Sequence, residues 1–310
     1  MKMKKRQKSD KAHDETDIQL VKIESKIDSI YNASYSKIAT EWDKYMKAHA
    51  KDLEKAYMTL QTAMAGGVFS EIQKARAEYE LKARQILINN RNYREMSERV
   101  AHKITKTNQK AIDYVNGKLP LVYTINYNAF DDTVNKAKIT MDYSFKLVNE
   151  ATVKALAESN RALLPLKTVN VPKDMLWNEQ QMNAQVMQGI QQGESIPKIA
   201  KRLQNVTDMS KKAAVRNART MVTAAENKGR YDSYKTAESD GLLLYKRWYC
   251  THDNRVRNWH KELDGVSIPI DEPFENSYGE LMYPGDPMGD PANVYNCRCR
   301  MTGDVMGFLW

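Results

Sequence analysis

The side chains with the most chemistry lie near the end of the sequence. Cys250, His252, His260, Cys297 and Cys299 are the clustered soft metal ligands of the chain, and they include all three of its cysteines. A tetrahedral zinc takes four ligands and favours thiolate and imidazole. Cys250, His260, Cys297 and Cys299 would supply such a set and would pin the start of a loop-rich segment to its end. Metal binding of that kind contributes on the order of 10 kcal/mol to folding. The Cys-x-Cys spacing is tighter than the two to four residues of ordinary zinc knuckles. In the competing reading Cys297 and Cys299 are small apolar residues on one face of a final strand, and His260 is hydrogen-bonded in the core. A structural zinc therefore stands as one of two open readings, and no other cofactor is indicated.

The same segment carries Asp253, Glu262 and Asp264, which with His260 could form a hydrolytic site, and a thiolate beside histidine could act as a nucleophile. The sequence has no glycine-rich phosphate loop, no serine or cysteine elbow and no HExxH pattern. Acidic residues in loops more commonly cap turns. The expectation is a protein without catalytic residues, in which Arg255 or Arg257 pairs with Asp264 or Asp271, and Arg298 with another loop carboxylate.

These residues need a scaffold that turns often. Five of the nine prolines and six of the thirteen glycines fall between Gly265 and Gly307, too dense a set of turn formers for helices to continue. Residues 241–310 are thus expected to form a loop-rich α+β module, fed by a strand over Leu242–Trp248.

The order of motifs here is Asp253-x-Arg255-x-Arg257-x-x-His260, then Leu263-Asp264-Gly265, Asp271-x-Pro273-Phe274, Tyr283-Pro284-Gly285-Asp286-Pro287, and Cys297-Arg298-Cys299. It resembles the C-terminal domain of the phage Mu F-like head-morphogenesis proteins, minor head proteins of tailed bacteriophages. The resemblance covers about a third of the chain. The helix with Ala218-Arg219-Thr220 and Glu226-Asn227 also resembles the one that precedes this domain in the family. It implies a virion component in few copies, present in the host bacterial cytoplasm during assembly and then in the head interior at the portal vertex. The implied role is procapsid and head morphogenesis, with DNA packaging or ejection, and the implied partners are the portal protein, scaffold and major capsid protein. Within the module the structural core is expected to comprise Asp253, Arg255, Arg257, His260, Asp264, Gly265, Phe274, Cys297, Arg298 and Cys299.

The formal charge of +9 is unevenly spread. Residues 1–11 hold six bases against one acid, and residues 201–230 hold eight against two, whereas residues 250–300 hold five against nine. Lys211, Lys212, Arg216, Arg219, Lys228 and Arg230 form a basic helix suited either to solvent or to nucleic acid or an acidic partner. An alternative function is therefore DNA binding without sequence reading, weakened steeply by salt, and a less favoured one is a phage-encoded hydrolase or toxin built on the module. No apolar run approaches the roughly 18 residues needed to cross a bilayer, and the N-terminus lacks the apolar segment of a signal peptide.

Upstream, the fold class expected is an elongated, mainly α-helical region followed by the smaller module. Residues 1–16 read as a disordered basic arm and 17–165 as a long helical hairpin or bundle. In the latter, apolar residues from Leu20 to Met64 recur at three- and four-residue steps until Gly66-Gly67. A second helix is expected from Val68 to about Ile112, with a kink or break at Asn89–Asn92, and a third from about Phe130 to Ala162. Residues 166–240 read as linker and helices: an edge strand or linker between Pro165 and Pro172, a helix capped by Asp174, a short helix over 196–203 capped by Ser195, and a separate long helix over 208–239.

Overall fold

In the computed structural model, residues 10–130, 148–159 and 164–309 are described. The fold is α+β, with long helices first and a small strand-containing region last. Helix α1 is Lys11–Gly66, α2 Phe69–Leu87, α3 Arg91–Asn116, α4 Leu119–Asn128, α5 Glu150–Ser159, α6 Val171–Gln191 and α7 Ile196–Ser239. The terminal region then follows as β1 Leu242–Tyr249, α8 Asn258–Lys261, β2 Ser267–Pro269, β3 Phe274–Asn276, β4 Gly279–Leu281, α9 Pro291–Val294 and β5 Arg300–Phe308.

Two compact units share the chain. One comprises Lys26–Ile112 and Thr168–Ala214; the other comprises Met1–Ser25, Asp113–Lys167 and Val215–Trp310. Both are discontinuous in sequence, whereas the expected segments were contiguous, because helices α1, α3 and α7 each carry residues of both units. In the first unit the apolar stripe of α1 does what its period dictates. Ile38, Trp42, Tyr45, Met46, Leu53 and Leu60 are buried against Tyr79, Tyr93, Met96, Val100, Val186 and Ile199. Met64, at the end of that stripe, is exposed.

Several expected boundaries move. Helix α1 begins at Lys11, so residues 11–16 are not part of an arm; Thr16 is buried and Asp10 is ion-paired. The break anticipated at 89–92 occurs, with α2 ending at Leu87 and α3 starting at Arg91. Of the expected helix over 130–162, residues 131–147 and 160–163 lie outside the described residues; in α5 Val153 is buried and Leu156 exposed. No strand forms between Pro165 and Pro172. Instead Asn170 caps α6 by accepting the Lys173 N–H at 3.1 Å, and Pro172 sits in the first turn, where its missing N–H costs nothing. Asp174 is freed from capping and accepts from Thr105 at 2.8 Å, Asn108 at 2.9 Å and Asn178 at 3.0 Å. The short helix over 196–203 and the long one after 208 are a single helix, since residues 204–207 contain neither glycine nor proline to stop it.

In the second unit, β1 is central to an antiparallel sheet of order β2-β1-β5, and β3 and β4 form a separate hairpin. Strand β1 alternates strictly between buried and half-buried residues, so that Leu242, Leu244, Lys246 and Trp248 face inward. With them pack Phe130, Tyr234, Leu263, Ile270, Phe274, Leu281, Val294 and Met301. Trp248 meets Phe274 edge-on at 5.1 Å between ring centres.

Candidate functional site

The chemistry-bearing residues gather around one face of α7. Thr220, Thr223, Asn227 and Arg230 recur at three- and four-residue steps and therefore share that face. Each is bonded to the backbone of the segment Asn296–Met301. Thr220 Oγ1 accepts the Asn296 N–H at 2.9 Å, and Thr223 Oγ1 donates to the Cys297 carbonyl at 2.8 Å. Asn227 donates to the Cys299 carbonyl at 3.2 Å and accepts the Met301 N–H at 2.7 Å. Arg230 donates to the Met301 carbonyl at 3.0 Å. The pitch explains the match: ten helical residues rise about 15 Å, and five extended residues span about 16 Å. The extended run thus lies along the helix with its backbone polar groups satisfied by side chains in place of a neighbouring strand. Asn296 starts it with φ of 56°, a left-handed conformation that asparagine tolerates better than most residues.

Two glycines admit close approach to the same helix. Gly285 has φ of 79°, and a Cβ there would lie 3.2 Å from the Ala224 backbone nitrogen. Gly229, within α7, faces α4; a Cβ would fall 2.5 Å from the Tyr123 carbonyl oxygen. Asp286, next to Gly285, is buried and accepts the N–H groups of Met282 and Met288, both at 3.0 Å, which fixes the Tyr283–Pro287 turn.

Arg230 is the hub of a buried ionic cluster. Its guanidinium, 4% exposed, donates to both Asp10 oxygens at 2.8 and 3.0 Å and to Asn126 Oδ1 at 2.9 Å, and lies 3.5 Å from Glu226. Arg300 also pairs with Asp10 at 3.3 Å, and His13 with Glu226 at 2.8 Å. Burial alone would raise the Asp10 pKa, but the charge and hydrogen bonds of Arg230 outweigh it and hold the carboxyl at about 2. For His13 burial lowers the pKa, and the Glu226 carboxylate reverses this to a net upward shift.

Of the residues expected to meet a nucleic acid or acidic partner, four are engaged within the chain. Arg230 is buried as above, Arg219 pairs with Glu24 at 2.6 Å, Lys211 with Asp28 at 3.2 Å, and Lys228 with Asp232. Lys212 and Arg216 are exposed. Arg230, Arg219 and Lys211 take their acids from residues 10–28, which a sequence window over the helix does not contain, and Lys228 takes its acid from Asp232 one turn on in the same helix.

The expected ion pairs of the loops are also re-partnered. Arg298 makes a bidentate pair with Asp253 at 2.6 and 2.9 Å, and Arg255 approaches the same carboxylate at 3.7 Å. The Arg298 hydrogen bonds hold the Asp253 carboxyl down at about 2. Arg257 donates to the Tyr295 carbonyl, and among the described residues it pairs with neither Asp264 nor Asp271. Asp264 accepts the Cys250 N–H at 2.8 Å and lies 3.6 Å from His252; Asp271 pairs with Lys235 at 2.6 Å. Gly265, with φ of 84°, closes the turn after α8 by donating to the Trp248 carbonyl at 2.9 Å, and Phe274 is buried on β3.

The soft ligands converge in part. Ligand atoms of His260, Cys297 and Cys299, all buried, lie within 4.8 Å of one another. His260 Nδ1 is 3.7 Å from Cys297 Sγ and 3.5 Å from Cys299 Sγ. Cys250 stands at the edge of the group: its sulfur is 3.5 Å from that of Cys299 and donates to the His260 carbonyl at 2.9 Å. His252 is exposed and outside the group. A hydrogen bond from Cys299, with His260 adding to it, pushes the Cys297 thiol pKa well below its ordinary value, while bonds to Cys250 and Cys297 push that of Cys299 up.

One buried cation went unnoticed in the sequence. Lys246 sits on the inner face of β1, fully buried, with Nζ donating to the Met282 carbonyl at 2.8 Å and lying 5.3 and 5.2 Å from the Tyr231 and Phe274 ring centres. Burial pulls its pKa down to about 8 against the opposing pull of Asp271, Asp286 and Glu272. The strict alternation of β1 was the signal that could have found it.

Residues 180–302 match the family described as phage Mu protein F like protein. Over 122 residues, 39% of this chain, the sequence is 30% identical to minor head protein GP7 of Bacillus phage SPP1, covering 39% of that protein. Over 132 residues, 41% of this chain, it is 30% identical to an NAD(+)--arginine ADP-ribosyltransferase EFV of Enterococcus faecalis, covering 26% of it. The chain thus spans about two fifths and about a quarter of these two relatives. No solved structure matches.

Proposed function

We propose that the chain, whose residues 180–302 match the phage Mu protein F like family, is a minor head protein of a tailed bacteriophage, associated with the portal vertex and acting in head morphogenesis. The observation that carries this reading is where the family region lies. It contains both the polar face of α7 and the Asn296–Met301 segment bonded to it, so the family's sequence pattern maps onto one interlocked structural element. Such an element suits a rigid component of an assembly. In this reading the helical unit of Lys26–Ile112 and Thr168–Ala214 offers the surface for portal, scaffold or major capsid protein.

Electrostatic DNA binding is the weaker reading, since four of the six basic residues assigned to it are neutralised by Asp10, Glu24, Asp28 and Asp232. The transferase name belongs to a protein of which the match covers 26%, and we assign this chain no transferase chemistry from it.

The test is affinity capture of the tagged full chain from phage-producing cells at low and high salt, with mass spectrometry of what is retained. Portal or capsid protein held at high salt supports the proposal. Retention of nucleic acid alone, lost as salt rises, contradicts it.

A further inference from the structure

We propose that Cys250, His260, Cys297 and Cys299 bind one structural Zn²⁺ that locks the end of β1, helix α8 and the segment entering β5 together. A tetrahedral zinc with bonds of about 2.3 Å to sulfur and about 2.05 Å to nitrogen sets edges of about 3.8 Å between sulfurs and about 3.6 Å between sulfur and nitrogen. The protein holds Nδ1 of His260 at 3.7 and 3.5 Å from Cys297 and Cys299, and Cys299 at 3.5 Å from Cys250. His260 Nδ1 is thus at coordination spacing from both sulfurs of the Cys-x-Cys segment, the three ligand atoms lie within 4.8 Å of one another, and Cys250 would complete the set by a side-chain rotation away from the His260 carbonyl.

The imidazole is prepared as a metal ligand would be. His260 Nε2 lies 3.3 Å from Asn293 Oδ1, and the Asn293 amide is fixed in turn: its Nδ2 donates to Asn276 Oδ1 and to the Tyr278 carbonyl, each at 3.2 Å. Asn293 and Asn276 hold each other reciprocally, since Asn276 Nδ2 donates to Asn293 Oδ1 at 3.1 Å. An acceptor at Nε2 places the ring proton there and turns the Nδ1 lone pair onto the sulfurs. Metal-bound histidines are commonly oriented by such a partner behind the ring.

The short Cys-x-Cys spacing suits the arrangement, because alternate residues of an extended segment point the same way. The backbone N–H of Cys299 points at Cys297 Sγ at 3.4 Å, a donor that favours thiolate. Three thiolates, one neutral imidazole and Zn²⁺ sum to a charge of −1. The small opening beside the cluster is lined by Arg255, Arg257 and Arg298, which complement that charge.

The proposal does not depend on the head-protein reading and is tested on the isolated full chain. Protein purified from zinc-supplemented medium should carry about one zinc per chain, released by a mercurial thiol reagent, and chelation should lower its melting temperature. Cobalt replacement should give thiolate-to-metal charge transfer and tetrahedral visible bands, with one thiolate's intensity lost in Cys250→Ser. Asn293→Ala, which touches no metal directly, should weaken zinc by roughly 10- to 100-fold. Folded wild-type protein free of zinc and indifferent to chelator would overturn the proposal. So would a Cys250–Cys299 disulfide found by thiol counting, or zinc retained in full by Cys297→Ala.

Discussion

Substituting Asp10 tests whether the start of the first helix is part of the terminal fold. Asn at this position keeps the shape and one acceptor but removes the charge facing Arg230, which is 4% exposed and then retains only Glu226, 3.5 Å away. The Asp10 pKa falls from 3.8 to about 2 on folding, and at 1.36 kcal/mol per unit this corresponds to about 2 kcal/mol of stability. Because the folded pKa lies below the unfolded one, the increment is fully present above pH 4 and is lost as pH falls toward 2. Asp10→Asn should therefore unfold about 2 kcal/mol more easily than wild type in urea at pH 7, read by tryptophan fluorescence with Trp248 in the affected core. The gap should close between pH 4 and 2. A gap under ~0.5 kcal/mol at pH 7, or one that does not change on acidification, would refute the coupling of Asp10 to this core.

Three further outcomes follow from the same contacts. Gly229→Ala forces a Cβ against the Tyr123 carbonyl, 2.5 Å away, so an expected loss of roughly 1–3 kcal/mol should appear in denaturant unfolding; unchanged stability would mean α4 does not pack there. Asn227→Leu strips partners from the buried Cys299 carbonyl and Met301 N–H and should cost roughly 2–5 kcal/mol at near-constant volume, measurable as a lower thermal midpoint. The Lys246 pKa is depressed on folding, from 10.5 to about 8, so wild type gains stability relative to Lys246→Met as pH rises from 8 toward 10.5. That gain reaches roughly 3 kcal/mol, and a gap independent of pH across that window would show that the amine is not desolvated.

What was legible in the sequence follows from how local each signal is. The α1 stripe, the stop at Gly66, the break before Arg91 and the strand after Gly241 are set by neighbours within a few residues, and all appear in the structure. The density of prolines and glycines marked the loop-rich region equally well, but the Cys-x-Cys segment is not its end: it leads into β5, Arg300–Phe308, which pairs along β1. Reading failed where partners are remote. Arg230 looked like one more base on a basic face, yet its acid is Asp10, two hundred and twenty positions away. Thr223 carries no pattern of its own, because its role is defined by a backbone in another part of the chain. Arg298 pairs with a loop carboxylate as expected, and Arg255 shares that carboxylate, Asp253, in place of Asp264 or Asp271, whereas Arg257 bonds the Tyr295 carbonyl.

The central claim, that this chain is a head component, is tested most directly on particles. Gradient-purified heads from the producing phage, stripped with high salt and digested for mass spectrometry, should contain peptides of this chain at a small and constant ratio to the major capsid protein. Heads that contain none, with the chain found only in the soluble fraction, would contradict the account.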